Sequence, residues 1–334
     1  MKNIAVVGCG HWGKNLVRNF HELGCLHSIC DPDKNIVKEL SDTFNVQGLS
    51  FDEVIDETSV KGVVLAVPAP LHASLAIKAM EANKNVFVEK PIAMNLNEAK
   101  SMIVSAKDNR VELMVGHLLQ YHPVFKKIKR YVIEERLGQI HYIYSNRHSL
   151  GKVRTEEDVL WSFAPHDMSM ILSLINAEPI FVNTQSKSIL QKNIADIATV
   201  YMNFESGIKA HVSVSWLNPF KEQKLVVIGE NMSLVFDDVK PWDQKLASYK
   251  HQITLGNKTP NLIKENLDYI SVPEAEPLKE ECKHFINLIN GNASPITNGE
   301  EGIRVLKVLT AATNSQEKNC SIYLNDDKQY RNSI

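Results

Sequence analysis

IAVVGCGHWGKNLVRNF, residues 4–20, decides the fold of the N-terminal half. Ile4 to Val7 is a short apolar run of the kind that forms a buried strand. Gly8, Gly10 and Gly13 follow at once in GxGxxG spacing, and a helical face of Trp12, Leu16, Phe20 and Leu23 then runs to Gly24. Strand, glycine turn and helix in that order form the opening unit of a doubly wound sheet. Gly8 permits the tight turn, Gly10 lets backbone approach a pyrophosphate, and Gly13 allows close packing of helix on strand. The N–H groups at the helix start, in the segment that contains His11 and Trp12, are free to meet phosphate charge. The competing reading is a turn that is merely rich in glycine.

The rhythm continues outward. Apolar runs at 26–30, 62–67, 85–89 and 112–116 alternate with helix-period segments, among them a capping box from Ser50 to Glu53. This alternation predicts an α/β architecture: a Rossmann domain over residues 1–118 with a doubly wound parallel sheet. Beyond residue 119 the pattern changes to longer alternating strands, QIHYIYSNRH, IATVYMNF, IKAHVSVSW, QKLVVIG and MSLVF. Residues 119–334 are therefore expected to form an α+β domain with a large, mostly antiparallel sheet that binds substrate and drives oligomerisation. Helices are expected at 158–175, 278–290 and 299–316, and a long loop over 254–277, which contains Gly256, Pro260, Pro273 and Pro277.

Bulk properties bound the function. The 334 residues are 44% hydrophobic and 23% charged with a net charge of -2, which fits two globular cores and argues against a nucleic-acid partner. The five cysteines contain no CxxC pair, so neither a disulfide framework nor a metal site is indicated, and reduced thiols in a cytoplasmic protein are expected. No apolar run reaches the ~18 residues a membrane span requires.

Asp31 ends the second strand, 18 residues after Gly13. A carboxylate there accepts hydrogen bonds from the adenosine ribose and repels a 2′-phosphate, which favours NAD over NADP. The same Asp31-Pro32-Asp33 is also an ordinary turn and cap. Glu89-Lys90-Pro91 closes the fifth strand, where ligands of open parallel sheets bind beyond the carboxyl ends. Lys90 is thus either a surface lysine at a strand end or an amine aimed at a reacting hydroxyl, with Pro91 supporting an unusual, even cis, turn. His166 follows Pro165 at what reads as the first turn of a helix. A helix N-terminus keeps an imidazole neutral, as a general base must be, while the alternative is a structural histidine under the helix.

Together these residues resemble the glucose-fructose oxidoreductase, inositol dehydrogenase and rhizopine-catabolism protein family. The carriers are GCGHWG with Asp31, the stretch AVPAPLHASLAIKAMEANKNVFVEKPIA from Ala66 to Ala93, and the His166-Asp167 helix. The resemblance implies an NAD-dependent oxidoreductase acting on CH–OH, in which Lys90 and His166 converge on the nicotinamide and substrate. Gly8, Gly10, His11, Trp12, Gly13, Asp31, Ala66, Pro68, His72 and Glu89 then line the cofactor, although a helix-start cap fits His72 equally well. The family's usual aspartate four residues before the catalytic histidine is Ser162 here, and Asp167 follows His166 instead, either orienting a group or meeting the helix dipole. Leu160-Trp161-Ser162-Phe163-Ala164-Pro165-His166-Asp167 resembles the sugar-nucleotide branch, which includes UDP-N-acetylglucosamine and UDP-N-acetylglucosaminuronate 3-dehydrogenases. That branch implies a UDP-sugar substrate, a 3-keto product passed to a pyridoxal-phosphate aminotransferase for surface glycans, and a homodimer or homotetramer.

Arg147, Lys152 and Arg154 are candidates for a diphosphate handle or, equally, a solvated charge run paired with Glu156, Glu157 and Asp158. His117, Tyr121 and His122 at the domain junction either contact the sugar or pack a helix, and Trp161 and Ser162 join the substrate candidates. The run Lys126 to Arg130 reads as a solvated helix face. Rival readings are a free-sugar or inositol dehydrogenase, a keto-sugar reductase, and a non-catalytic NAD-binding regulator.

Overall fold

The computed structural model describes residues 2–151, 153–255, 260–264 and 266–324. They fall into two compact units, Met1–His122 with Ala275–Leu306, and Pro123–Glu274 with Lys307–Ile334.

Six parallel strands build the first unit: β1 (Ile4–Val7), β2 (Leu26–Cys30), β3 (Gln47–Gly48), β4 (Gly62–Leu65), β5 (Asn85–Glu89) and β6 (Leu113–Gly116), in the order β3-β2-β1-β4-β5-β6. That order reverses direction between β1 and β4, the switch point at which doubly wound sheets bind dinucleotides. Every residue of β1, β4 and β6 is buried, as expected of strands covered on both faces. Helices α1 (Gly13–Glu22), α2 (Lys34–Phe44), α3 (Phe51–Asp56), α4 (His72–Glu81) and α5 (Leu96–Asn109) connect them. Ser50 and Glu53 form the expected reciprocal capping box of α3, and Leu16 and Phe20 turn their side chains fully inward from α1.

The sequence boundary at residue 118 is incomplete, because Ala275–Leu306 also belongs to this unit. The physical reason lies on α8 (Pro277–Ile289), whose Leu278, Cys282, Phe285 and Leu288 join the core of Phe20 and Phe87. The Phe285 ring meets Phe87 edge-on at 5.7 Å and Phe20 at 6.4 Å. Removing such a buried aromatic costs about 3–5 kcal/mol. Local periodicity finds the helix but not the core it completes.

The second unit carries α6 (Pro123–Ile133), α7 (Val159–Ile175) and a ten-stranded sheet. Its strands are β7 (Ile140–Leu150), β8 (Phe181–Lys187), β9 (Ile197–Asn203), β10 (Lys209–Ser215), β11 (Leu217–Gly229), β12 (Met232–Asp237), β13 (Leu246–Leu255), β14 (Pro260–Lys264), β15 (Asp268–Tyr269) and β16 (Ile322–Tyr323). The order is β14-β13-β12-β11-β7-β10-β9-β8-β16, with β15 beside β13. Pairing is antiparallel except between β7 and β10, which run parallel because α7, β8 and β9 intervene in the chain. Ile143, Val200, Val212 and Val214 alternate inward with no exposure, and α7 packs on β7, β9 and β10. The long helix α9 (Gly299–Lys318) contributes to both units in sequence.

Two expectations are corrected. The loop expected over 254–277 contains the end of β13, all of β14 and β15, and the start of α8; Gly256 lies outside the described residues. Pro260 is the first residue of the edge strand β14, a place that tolerates proline. Helix α7 begins at Val159, in agreement with the helix expected over 158–175, so His166 does not stand in its first turn: the Asp158 carboxylate accepts the Trp161 N–H at 3.0 Å and caps the helix. Pro165 is inside the helix. His166 therefore lies beyond the first turn, where the helix N-terminus no longer acts on its imidazole.

Candidate active site

The glycine loop is shaped by what it touches. Gly8 has φ +87°, a left-handed conformation, and a Cβ there would stand 2.5 Å from the Ala66 carbonyl oxygen. A Cβ on Gly13 would lie 1.9 Å from the Gly8 carbonyl oxygen, so both positions demand glycine. Over Gly10 such an atom would meet nothing within 4 Å, which leaves the backbone open to approach. Of the first N–H groups of α1, Lys14 donates to Gly10 O at 3.1 Å and Asn15 to Trp12 O at 2.9 Å, which ties the loop to a helix start whose dipole favours an anion. The cradle fits the pyrophosphate of a dinucleotide.

Asp31 holds the loop from beneath: Cys9 N–H donates to its Oδ2 at 2.6 Å and Asp33 N–H to its Oδ1 at 2.9 Å. Its carboxylate retains further lone pairs for ribose hydroxyls. Burial, helped by the Asp31 charge, pushes the Cys9 thiol up to about 12, so no thiolate opposes the phosphates.

At the carboxyl end of β5 the Trp12 indole donates to Glu89 Oε1 at 2.5 Å, and the Lys90 N–H donates to Oε2 at 3.3 Å. Burial pushes the Glu89 carboxyl up, against the lowering effects of the indole and of Lys90. The Lys90–Pro91 peptide is cis, as the sequence suggested. Lys90 itself is half-buried, directly after β5, the strand paired with β4. His72 opens α4 but is only 1% exposed, and its ring nitrogens stand 2.8 Å from the Pro91 oxygen and 2.9 Å from the Val67 oxygen. The structure therefore places His72 between two turns, rather than as a helix cap.

His117 and Tyr121 are both buried. His117 Nδ1 pairs with a Glu301 carboxylate oxygen. The Tyr121 hydroxyl bonds Thr297 Oγ1 at 2.9 Å, and its ring lies 5.3 Å from His284. Packing is what these contacts describe. Thr297, His284 and Glu301 lie so far along the chain that no local signal names them. Glu281 was missed for the same reason: it is 1% exposed, and neither carboxyl oxygen has a hydrogen-bond partner among the described residues.

In the second unit, Asp167 is fully enclosed on α7. Arg147 grips it with both arms, Nε to Oδ2 at 2.6 Å and a terminal nitrogen to Oδ1 at 3.2 Å, and the Ser145 hydroxyl donates to Oδ1 at 2.5 Å. This is a correction for both residues: Asp167 lies mid-helix and cannot serve a first-turn dipole, and the Arg147 guanidinium is engaged by a carboxylate on its own unit. Arg154 pairs with Glu157 at 3.2 Å on the surface, which is the charge-run reading, and Lys152 lies outside the described residues. The Trp161 indole donates to Thr313 Oγ1 at 3.0 Å, Ser162 is buried, and His166 is half-buried on the same helix.

Residues 2–117 match the model of an oxidoreductase family with an NAD-binding Rossmann fold, and residues 125–235 match the GFO/IDH/MocA C-terminal domain. The chain is 30% identical over 259 residues to the 2,7-anhydro-N-acetylneuraminate hydratase of Escherichia coli, covering 71% of this chain and 68% of that protein. It is 24% identical over 345 residues to the scyllo-inositol 2-dehydrogenase (NAD(+)) of Bacillus subtilis, covering 98% and 97%. The solved structure of the UDP-N-acetylglucosamine 3-dehydrogenase from Acidithiobacillus ferrooxidans superposes with a TM-score of 0.84 at 22% identity, over 95% of this chain and 97% of that one. Glycine cradle, Asp31 and the six-stranded order agree with these matches, and the chain is an NAD-binding oxidoreductase that belongs to the GFO/IDH/MocA family.

Proposed function

We propose that the protein oxidises the C3 hydroxyl of a UDP-N-acetylhexosamine, or of its uronate, to a 3-keto sugar. The observation that supports the reading is Lys90 directly after β5, on a cis-Pro turn at the carboxyl end of the same sheet whose β1 leads into the glycine loop. Bound NAD supplies the hydride acceptor. Lys90 and His166 are the proposed proton-handling groups: the lysine ammonium donates to the sugar oxygen, and the imidazole takes the hydroxyl proton. Ala66 and Pro68 support the nicotinamide, and Asp31 holds the adenosine ribose. Trp161 and Ser162 remain proposed substrate-side residues through the helix they share with His166.

The similarity to a UDP-N-acetylglucosamine 3-dehydrogenase over nearly the whole chain supports a sugar nucleotide. A second reading, an inositol or free-sugar dehydrogenase, is favoured by the similarity to the scyllo-inositol enzyme, again over nearly the whole chain. Absorbance at 340 nm with NAD and a panel of UDP-N-acetylglucosamine, its uronate, scyllo-inositol and myo-inositol separates the two. Reduction with the UDP-sugars, abolished by Lys90→Met and by His166→Asn, is the expected result; reduction only with inositols removes the sugar-nucleotide reading. A 3-keto product would feed an amino transfer, so adding a pyridoxal-phosphate aminotransferase and glutamate should pull the reaction forward.

The sheet face that carries Tyr142, Tyr144, Tyr201 and His211 supports assembly with a second copy. Tyr144 stacks on His211 at 5.3 Å with 5° between the rings, and Tyr201 is 44% exposed. A homodimer or homotetramer through this face is the proposed state, and light scattering of Tyr201→Asp should report dissociation.

A further inference from the structure

His72 is buried, and both hydrogen-bonding neighbours of its ring are backbone carbonyls: Pro91 O lies 2.8 Å from Nδ1, and Val67 O lies 2.9 Å from Nε2. Carbonyls only accept. A neutral imidazole has a single N–H, so it serves one of these oxygens and turns a lone pair toward the other; both are served only by the imidazolium. Burial foremost, and then the Lys90 charge, lower the ring's affinity for its second proton, against the two carbonyls that raise it.

The two oxygens belong to turns with different duties. Val67 follows β4 and sits beside Ala66, whose carbonyl is the surface that Gly8 of the glycine loop packs against. Pro91 follows β5 and shares its peptide with Lys90. The strands beneath are paired as far as Leu65 opposite Val88; the turns above them leave the sheet, and among the described residues no ladder pair continues between them. One ring in contact with both carbonyls bridges the two turns. Its backbone is itself anchored at the first residue of α4, so the brace has a fixed third point.

We propose that His72 is a positioning residue: by engaging the Val67 and Pro91 carbonyls with one ring, it fixes the separation between the cofactor-side turn and the Lys90 amine. The inference rests on the proposed placement of Lys90 beside the nicotinamide, and it assigns His72 no contact with ligand.

Acetylation of Lys90 by acetic anhydride, read by peptide mass spectrometry, tests this without a known substrate. It is measured with saturating NAD+, with ADP-ribose and with neither, in the wild type, His72→Phe and His72→Asn; calorimetry gives the affinity of each for NAD+. In the wild type NAD+ should slow acetylation by about fivefold or more and ADP-ribose should not, as expected of an amine shielded by a ring in direct contact. Compared at an NAD+ concentration that saturates each protein by its own measured affinity, His72→Phe should lose most of that protection, since it removes the polar ring contacts to the two turns. His72→Asn keeps an amide N–H for one carbonyl and should recover part of it. Wild-type protection in both variants overturns the positioning role while leaving Lys90 in place. Equal acetylation of the wild type with and without NAD+ instead removes Lys90 from the nicotinamide, and the proposal with it. Should His72→Phe fail to fold, His72→Asn decides alone: undiminished protection refutes, and reduced protection supports.

Discussion

The indole N–H of Trp12 donates to the carboxylate of Glu89 at 2.5 Å across 77 residues of sequence. One end of this bond is in the glycine loop that cradles the dinucleotide, and the other is the residue before Lys90, whose own N–H meets the second Glu89 oxygen. Trp12→Phe keeps the ring and deletes the donor. A hydrogen bond to a charged group is worth about 1.5–3 kcal/mol, so the affinity for NAD+ should fall by roughly tenfold if the loop loses its order. The indole lowers the Glu89 pKa, so its loss lets burial push that carboxyl further up. The acid limb of NAD+ binding should accordingly move to higher pH in the variant, measured by titration calorimetry across pH. An unmoved limb would show that Glu89 does not titrate with cofactor binding.

Asp31 has two tasks: it accepts the Cys9 N–H beneath the loop and offers its remaining lone pairs above it. Asp31→Ala should weaken NAD+ by about tenfold or more, and should weaken NADP+ far less, because the carboxylate that repels a 2′-phosphate is gone. The ratio of the two dissociation constants is the readout. Loss of both affinities in equal proportion would confine Asp31 to its loop-anchoring bond.

Arg147 and Asp167 form a buried bidentate pair, with side chains 14% and 1% exposed. Breaking one partner leaves the other charge stranded, so Arg147→Met should lower stability by about 3–5 kcal/mol in urea unfolding. Asp167→Asn should restore part of this in the double variant, because it removes the stranded carboxylate. A diphosphate handle predicts something else: intact stability with a raised Michaelis constant for a UDP-sugar.

Glu281 is buried with no hydrogen-bond partner for either carboxyl oxygen among the described residues, and burial first, then the Glu89 charge, push its pKa well up. A carboxyl with a raised pKa in the folded state binds its proton more tightly there than in the unfolded chain. Stability is then undiminished below the unfolded carboxyl range, near pH 4.3, and falls as pH rises above it. Glu281→Gln, a neutral isostere, should therefore raise the Tm by a few degrees at pH 8, with the gain vanishing as the pH approaches 4. A gain that stays constant across that range would place its origin in packing rather than in the proton.

The sequence by itself determined whatever is written locally. The βα rhythm, the glycine spacing and Asp31 specify the Rossmann unit, because strand period, helix period and the steric need for glycine at Gly8 and Gly13 act over a few residues. The alternating strands from residue 140 to 236 likewise set the second sheet. The helix over 158–175 was legible too, but Pro165 misplaced His166 in a first turn: Asp158 begins α7, and Pro165 is carried inside it by the packing of Leu160, Met168 and Ile171.

Only the tertiary structure decided who meets whom. Thr297 for Tyr121, Glu301 for His117, Asp167 for Arg147 and two carbonyls for His72 are partners chosen by the fold. Side chains that read as ligand contacts in the sequence are drawn into these bonds because a buried polar atom must find a partner within the protein, and chain distance sets no limit on where that partner comes from. The return of Ala275–Leu306 to the first unit has the same cause: the apolar face of α8 is legible in the sequence, but the core that buries it is assembled only when the chain folds.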